Sequence, residues 1–230
     1  SSGLKINSAK DDAAGLQIAS RMTSQLRGQN MAIKNANDGI SMAQTAEGAL
    51  QESSNILQRM RELGVQARND SNTSTDREAL DKEFQAMASE LTRIANSTNL
   101  NGTILLNGSA GGATGSVAIQ VGSGTTGDDT ITLELGATAM DAAGLGLVTG
   151  TALTDAATSG DAIDLIDTAL DTINALRADL GATQNRLTST ISNLQNINEN
   201  VSAALGRVQD TDFAAETAQM TKQQTLQQAS

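Results

Sequence analysis

Between about Asp161 and Val208 the apolar residues fall at Ile163, Ile166, Leu170, Ile173, Leu176, Leu180, Leu187, Ile191, Leu194, Ile197, Val201, Ala204 and Val208. Apart from the gap between Leu180 and Leu187, every step is three or four residues, the seam of a long amphipathic helix close to a heptad stripe. The gap puts Thr183 or Gln184 on the seam and predicts one small or polar layer. No proline interrupts the run. As one helix it would be on the order of 70 Å long. Such a helix with a single apolar stripe is not stable alone in water and needs partner helices along its length.

The other end of the chain offers those partners. Residues Ser1 to Asp11 read as an opening segment in which Ser8 and Asp11 have capping-box spacing. From Asp12, the positions Leu16, Ile18, Met22, Leu26, Met31 and Ile33 are compatible with helix but irregular. Order improves through Ala36, Ile40, Ala43, Ala46, Leu50, Leu57, Met60, Gly64 and Ala67, with Ser53 or Ser54 on the seam between the two leucines. Gly28, Gly39 and Gly48 each cost roughly 1 kcal/mol against Ala in a helix interior. They signal close approach of a neighbouring helix, or else a break at Gly28 or Gly39. A continuous helix from about Asn30 to Asn69 is expected. Asn69 to Ser74 is a polar turn. Thr75 and Glu78 have capping-box spacing, and Leu80, Phe84, Met87, Leu91 and Ile94 predict a second helix ending near Ala95.

The middle reads differently. Asn99 to Gly108 alternates turn signals with a short apolar run. Val117, Ile119 and Val121, then Ile131, Leu133 and Leu135, alternate with polar or small residues on either side of a Gly/Ser/Thr/Asp loop. That predicts a β-hairpin with one buried face and a loop longer than two residues. Residues Ala137 to Gly160 read as an irregular return, after which Thr158 to Asp161 would cap the long helix. Asp161, Asp164 and Asp167 would load its first turns with negative charge. Asp210 to Asp212 would interrupt it, leaving Phe213, Ala214, Thr217, Met220 and Leu226 in a weaker pattern. The fold class is therefore mainly α: a long antiparallel helical bundle or coiled-coil-like rod with a small β-hairpin region. Residues 1–108 and 161–230 form the two parts of the helical domain, and 109–160 a short variable region.

Composition narrows the function. There is no His, Cys, Trp, Tyr or Pro, and the net charge is −11. Without His and Cys, the usual catalytic triads and most transition-metal sites are excluded. The acidic balance argues against nonspecific nucleic-acid binding, and no apolar run is long enough for a membrane span. Gly127-Asp-Asp129 is a faint likeness of a calcium-binding β-roll repeat, for which a polar hairpin loop is the simpler reading. No phosphate-binding loop or nucleophile elbow is present. No catalytic, cofactor-binding or metal residue is therefore assigned, and an enzyme is not expected. Arg59, Arg61 and Arg68, with Glu62 among them, read by themselves as a solvated charged face.

Several separated motifs carry a resemblance. Ile6-Asn-Ser-Ala-Lys-Asp-Asp-Ala-Ala-Gly15 closely resembles the N-terminal signature of bacterial flagellins, as do Asn35 to Ser41, Thr45 to Leu50 and Leu57 to Leu63. Val208 to Thr217 and Gln223 to Gln228 resemble the family's other end. The resemblance covers roughly residues 1–108 and 161–230 in the family's order. The short middle implies that the outer domains of longer flagellins are absent or reduced to the hairpin. Both ends stop inside helix-like sequence, as in a fragment trimmed from a longer chain.

The resemblance implies a secreted structural subunit of the extracellular flagellar filament, self-assembling with copies of itself for motility. Its further partners would be a flagellar export chaperone, the cap protein and the host's Toll-like receptor 5. No cofactor, nucleic-acid or membrane partner is implied. The residues matching the receptor-recognised pattern are Gln58, Arg59, Leu63 and Glu83. On a helix Arg59 faces roughly away from the Leu57 seam, and Leu63 would stand at its flank. Gly64 departs from the family's usual Ala and is expected to loosen the helix locally. The rival reading is the related hook–filament junction protein, which shares the terminal motifs.

Overall fold

The computed structural model describes residues 13–147 and 151–229, the side chains at 212–216 and 229 excepted. The capping box expected at Ser8 to Asp11 lies outside them. Three long helices dominate: α1 Ala13–Arg68, α2 Ser74–Ser97 and α3 Ala156–Ala229. Two small antiparallel sheets lie between α2 and α3 in sequence: β1 Asn99–Leu100 with β2 Thr103–Ile104, and β3 Ser116–Gln120 with β4 Thr130–Glu134. The chain divides into two compact units. The larger comprises Asn37–Ile119 and Thr130–Thr188, and the smaller Ser1–Ala36, Gln120–Asp129 and Ser189–Ser230.

In the larger unit the seams meet as the periodicity requires. Leu50, Leu57, Met60 and Ala67 from α1, Phe84, Leu91 and Ala95 from α2, and Ile166, Ile173 and Leu180 from α3 are all buried in one core. Leu105, Leu133, Leu135 and Leu153 join it from the sheets and the return segment. Ser53 and Ser54 are both buried, and Gln184 Nε2 donates to Glu47 Oε2 at 2.9 Å, which forms the polar layer expected on the α3 seam. The contacts Glu47–Gln184, Arg61–Asp167 and Gly64 against Ile163 run in opposite directions along the two helices, so α1 and α3 are antiparallel here.

Both caps fall earlier than the sequence suggested. The α2 N-cap is Thr73, not Thr75: Thr73 Oγ1 accepts from Asp76 N at 3.1 Å, and Thr73 N donates to Asp76 Oδ2 at 2.9 Å. Asn72 Nδ2 donates to the carbonyls of Gln66 and Asn69, which tightens the turn and favours this nearer box. At the start of α3, Thr158 N donates to Asp155 Oδ1 at 2.8 Å while Asp155 N donates to Thr158 Oγ1 at 3.1 Å. The helix begins at Ala156, where small residues leave no apolar period to read. It also continues through Asp210 to Asp212 without a break.

The helix α1 is longer than expected and unbroken at its glycines. Gly39 lies against Ile119 of β3 and Leu187 of α3, where a β-carbon would come within 3.1 Å of each. Close approach is therefore the right reading, although one of the two neighbours is a strand. Gly48 meets nothing, so its conformational cost has no packing return. Gly64 is buried with Ile163 so near that an added β-carbon would lie 3.0 Å from its Cγ1. The helix runs unbroken through Gly64, which admits the first turns of α3.

The hairpin forms as read. Leu135 N donates to Gly115 O, and Ile131, Leu133 and Leu135 face the core. The β1–β2 pair was not anticipated as strands. It turns on Asn101 and Gly102, both at positive φ, which suits an Asn-Gly two-residue turn. Gly111, Gly112 and Ala113 all have φ between 60° and 72°, a left-handed turn in which Ala113 carries a steric penalty that glycine would avoid.

In the smaller unit Ala19, Gln29, Ala32, Ala36, Val121 and Leu194 are buried. The loop between β3 and β4 lies along α1, where Asn35 Nδ2 donates to Gln120 O at 3.1 Å and Gly28 makes room for Ser123. Within that loop the Asp129 carboxylate accepts from Thr126 N and Thr126 Oγ1, which lowers its pKa. It serves as a turn-former, as a polar hairpin loop requires.

Candidate interaction surface

Four arginines around the end of α1 divide into distinct jobs. Arg77, in the first turn of α2, reaches back so that Nε donates to Ala67 O at 2.8 Å and Nη2 to Asn69 O at 3.2 Å. It caps the Ala67 carbonyl in the last turn of α1, where helix carbonyls lack intrahelical donors. Its side chain is 13% exposed, the most buried of the arginines in ion pairs among the described residues. Arg61 points to the other flank of α1, where Nε donates to Asp167 Oδ1 at 2.8 Å and Nη2 to Oδ2 at 3.5 Å. This ties α1 to α3 and gives one of the three early aspartates a partner. Arg68 lies over Gly160, where a β-carbon would collide with its guanidinium.

Arg59 bridges α1 and α2. Its Nε and Nη2 donate to Glu83 Oε1 at 3.0 and 2.9 Å, and Nη1 donates to Glu62 Oε2 at 3.2 Å. The hydrogen bonds to Glu83, then the one to Glu62, raise the Arg59 pKa above its ordinary value, so the group is a permanent cation. Side-chain exposure is 47% for Arg59, 42% for Glu83 and 70% for Glu62. A pair this exposed contributes little to folding. Its effect is to hold a planar, multi-donor head in one orientation beside two carboxylates. Gln58, the residue before Arg59, is exposed.

Leu63 behaves otherwise. It is fully buried in the core rather than standing at the flank of the seam. In the larger unit α1 is covered by both α2 and α3, so its buried arc is wider than a single stripe. Leu57, Met60, Leu63 and Ala67 all fall inside it. The structure thus brings Arg59 and Glu83 together, leaves Gln58 exposed and buries Leu63 in the core. Glu62 belongs with that pair and was passed over as an ordinary surface charge. Its position three residues from Arg59 was the available signal. Nothing local in the sequence marked the Arg59–Glu83 contact, since those residues are 24 apart and meet only when α2 folds back.

The bacterial flagellin N-terminal helical region matches residues 1–111 of this chain, and the bacterial flagellin C-terminal helical region matches residues 163–230. Flagellin B of Vibrio anguillarum is 39% identical, with all of this chain and 86% of that protein covered. Flagellin A of Vibrio cholerae serotype O1 is 38% identical with the same coverage. Both alignments extend over more than 320 positions, against 230 residues here, so each relative carries a stretch without counterpart in this chain. The crystal structure of Bacillus cereus flagellin is similar with a TM-score of 0.60 at 37% identity, covering 70% of this chain and 88% of that one. A flagellar hook-associated protein from Vibrio parahaemolyticus gives a TM-score of 0.67 at 15% identity, covering 87% and 100%, a likeness of fold alone. With both helical regions matched in order and these identities over its whole length, the chain belongs to the bacterial flagellin family, whose members are structural subunits of the extracellular flagellar filament.

Proposed function

We propose that the face formed by Gln58, Arg59 and Glu83 is the surface through which a host innate-immune receptor, Toll-like receptor 5, recognises this flagellin. The observation that carries the reading is the Arg59–Glu83 pair: an exposed arginine held in a fixed orientation across two helices. Arginine is suited to an interface hot spot because its fork of donors is planar and pre-ordered. Leu63 acts from below by fixing the helix turn that presents Arg59. Arg59→Asp places a carboxylate beside Glu62 and Glu83, so it removes the donor and repels its neighbours. A receptor-reporter assay on the wild type and on Arg59→Asp, with circular dichroism on each, tests this. Severe loss of signalling by a folded Arg59→Asp protein is expected. Undiminished signalling would leave these residues as a solvated or filament-packing face.

The same reading makes the subunit a non-catalytic one. It is exported through the flagellar secretion apparatus with an export chaperone and placed under the cap protein. Family membership supports this, as does a sequence without His or Cys. Among the described residues no helix is long and apolar enough to cross a membrane. Apolar side chains left exposed, among them Leu16, Ile18, Met31, Met220 and Leu226, suit a subunit that completes its burial against copies of itself.

A further inference from the structure

In the α1 part of the smaller unit, Arg27, Met31 and Lys34 follow one another at steps of four and three. They therefore share one face of the helix, with the two cations about 10 Å apart along its axis. All three are exposed, Met31 at 55%. Leu16, Ser20 and Thr23 continue this face towards the start of α1, and with Arg27 they line an open groove of about 420 Å³. Among the described residues neither Arg27 nor Lys34 is in an ion pair, although Asp38 stands one turn beyond Lys34.

In the α3 part of the larger unit, Asp164, Thr168 and Asp171 have the same steps of four and three, and all three are exposed. Asp161 carries the carboxylates one turn further towards the helix start. Asp167 takes Arg61, but among the described residues Asp161, Asp164 and Asp171 have no cation. On α2, by contrast, Glu78, Glu83 and Glu90 are taken by Lys82, Arg59 and Arg93. One unit thus leaves two cations seven residues apart, and the other leaves two anions at the same spacing. Neither face is complementary to itself, since cation would meet cation or anion meet anion. Two different, complementary patches on one chain make a head-to-tail contact, which repeats without closing.

We infer that the Arg27–Met31–Lys34 face of α1 docks on the Asp164–Thr168–Asp171 face of α3 in a second copy of this chain. The inference rests on reading the chain as a self-assembling subunit. Exposed ion pairs add little affinity. Their effect is to steer the encounter and to reject wrong alignments, while burial of Met31 supplies attraction.

Assembly followed by light scattering at low ionic strength tests this, with circular dichroism on each protein. Arg27→Glu with Lys34→Glu should slow elongation about tenfold or more, and so should Asp164→Lys with Asp171→Lys, because each brings like charges together. All four substitutions in one chain restore opposite charges across the contact and should recover most of the rate. Unchanged elongation with either pair reversed would overturn the contact, as would a fourfold variant no faster than the slower pair. Failure of the wild type to assemble would instead remove the self-assembly reading itself. A second measurement needs no charge reversal. The chain has no cysteine, so Lys34→Cys can be combined with Asp164→Cys or with Asp171→Cys. A short thiol-specific cross-linker applied to the filaments should give a ladder of linked subunits from at least one of these two proteins, and none from the single-cysteine chains. Filaments that yield no ladder from either would also overturn the inference.

Discussion

In the larger unit Leu57, Met60, Leu63, Phe84, Leu91 and Ile173 are each at most 1% exposed, and they form one continuous core. In the smaller unit the same two helices, α1 and α3, carry Leu16 at 47% exposure, Met31 at 55% and Leu226 at 61%. Both stretches are helical throughout the described residues. The difference is in partners: α2, the hairpin and the return segment all cover α1 and α3 in the larger unit. A long helix is thus held only where a second and a third element close over its stripe. For a filament subunit, this separates the part that folds by itself from the part that offers surface to neighbours.

The largest effect that would sharpen the comparison comes from truncating core leucines. Leu57→Ala should cost about 4 kcal/mol and Leu194→Ala about 2 kcal/mol, towards the upper part and at the lower end of the range that cavity formation spans. Denaturant unfolding monitored by circular dichroism measures both. Equal losses would mean that the smaller unit is packed as well as the larger. Next, Arg77→Ala should lose about 1–2 kcal/mol, because the Ala67 carbonyl loses the arginine donor at a part-buried site, while the Asn69 carbonyl keeps those of Asn72. A loss no larger than that of a surface substitution would show that water replaces the guanidinium there.

How much of this was legible in the sequence depended on whether a signal was local. The α3 stripe through Leu194, the polar layer at Gln184 and the buried face of β4 were all periodic and formed where the period put them, whereas Ile197, Val201, Ala204 and Val208 are only half-buried. Leu63 was misplaced because a single stripe was assumed for a helix that packs two neighbours. The two N-caps were misplaced because several Thr, Ser and Asp residues compete within a few positions, and tertiary contacts such as that of Arg77 decide between them. The Arg59–Glu83 bridge had no local signal at all. The resemblance pointed to its residues, and only the folded-back α2 shows how they are held.

Smaller effects concern the caps and the backbone of the larger unit. Hydrogen bonds from Thr73, backbone first and then side chain, hold the Asp76 carboxyl below its ordinary pKa, and those from Thr158 do the same for Asp155. Both groups therefore add stability above the unfolded carboxylate pKa, and lose it as pH falls through the lowered folded value. Thr73→Ala should cost about 1 kcal/mol at neutral pH and should shrink the loss of stability in acid. An acid limb identical to that of the wild type would show that the Thr73 side chain does not couple to titration and that the backbone N–H, which alanine keeps, carries the effect. Last, Gly48→Ala should gain roughly 0.5–1 kcal/mol, since a β-carbon there meets nothing. Gly64→Ala should gain less or lose, because Ile163 must give way. Equal gains at both positions would show that the approach of α3 at Gly64 is not close.

The most direct test is amide hydrogen exchange along α1 and α3 in the unassembled protein, compared with the same peptides in the assembled filament. Residues 43–67 of α1 and 162–180 of α3 should exchange slowly in both states, at rates governed by global unfolding. Residues 13–28 and 201–229 should exchange much faster before assembly and become protected within it. Uniform slow exchange along both helices of the unassembled protein would contradict the division between a self-sufficient core and surfaces completed by neighbouring subunits.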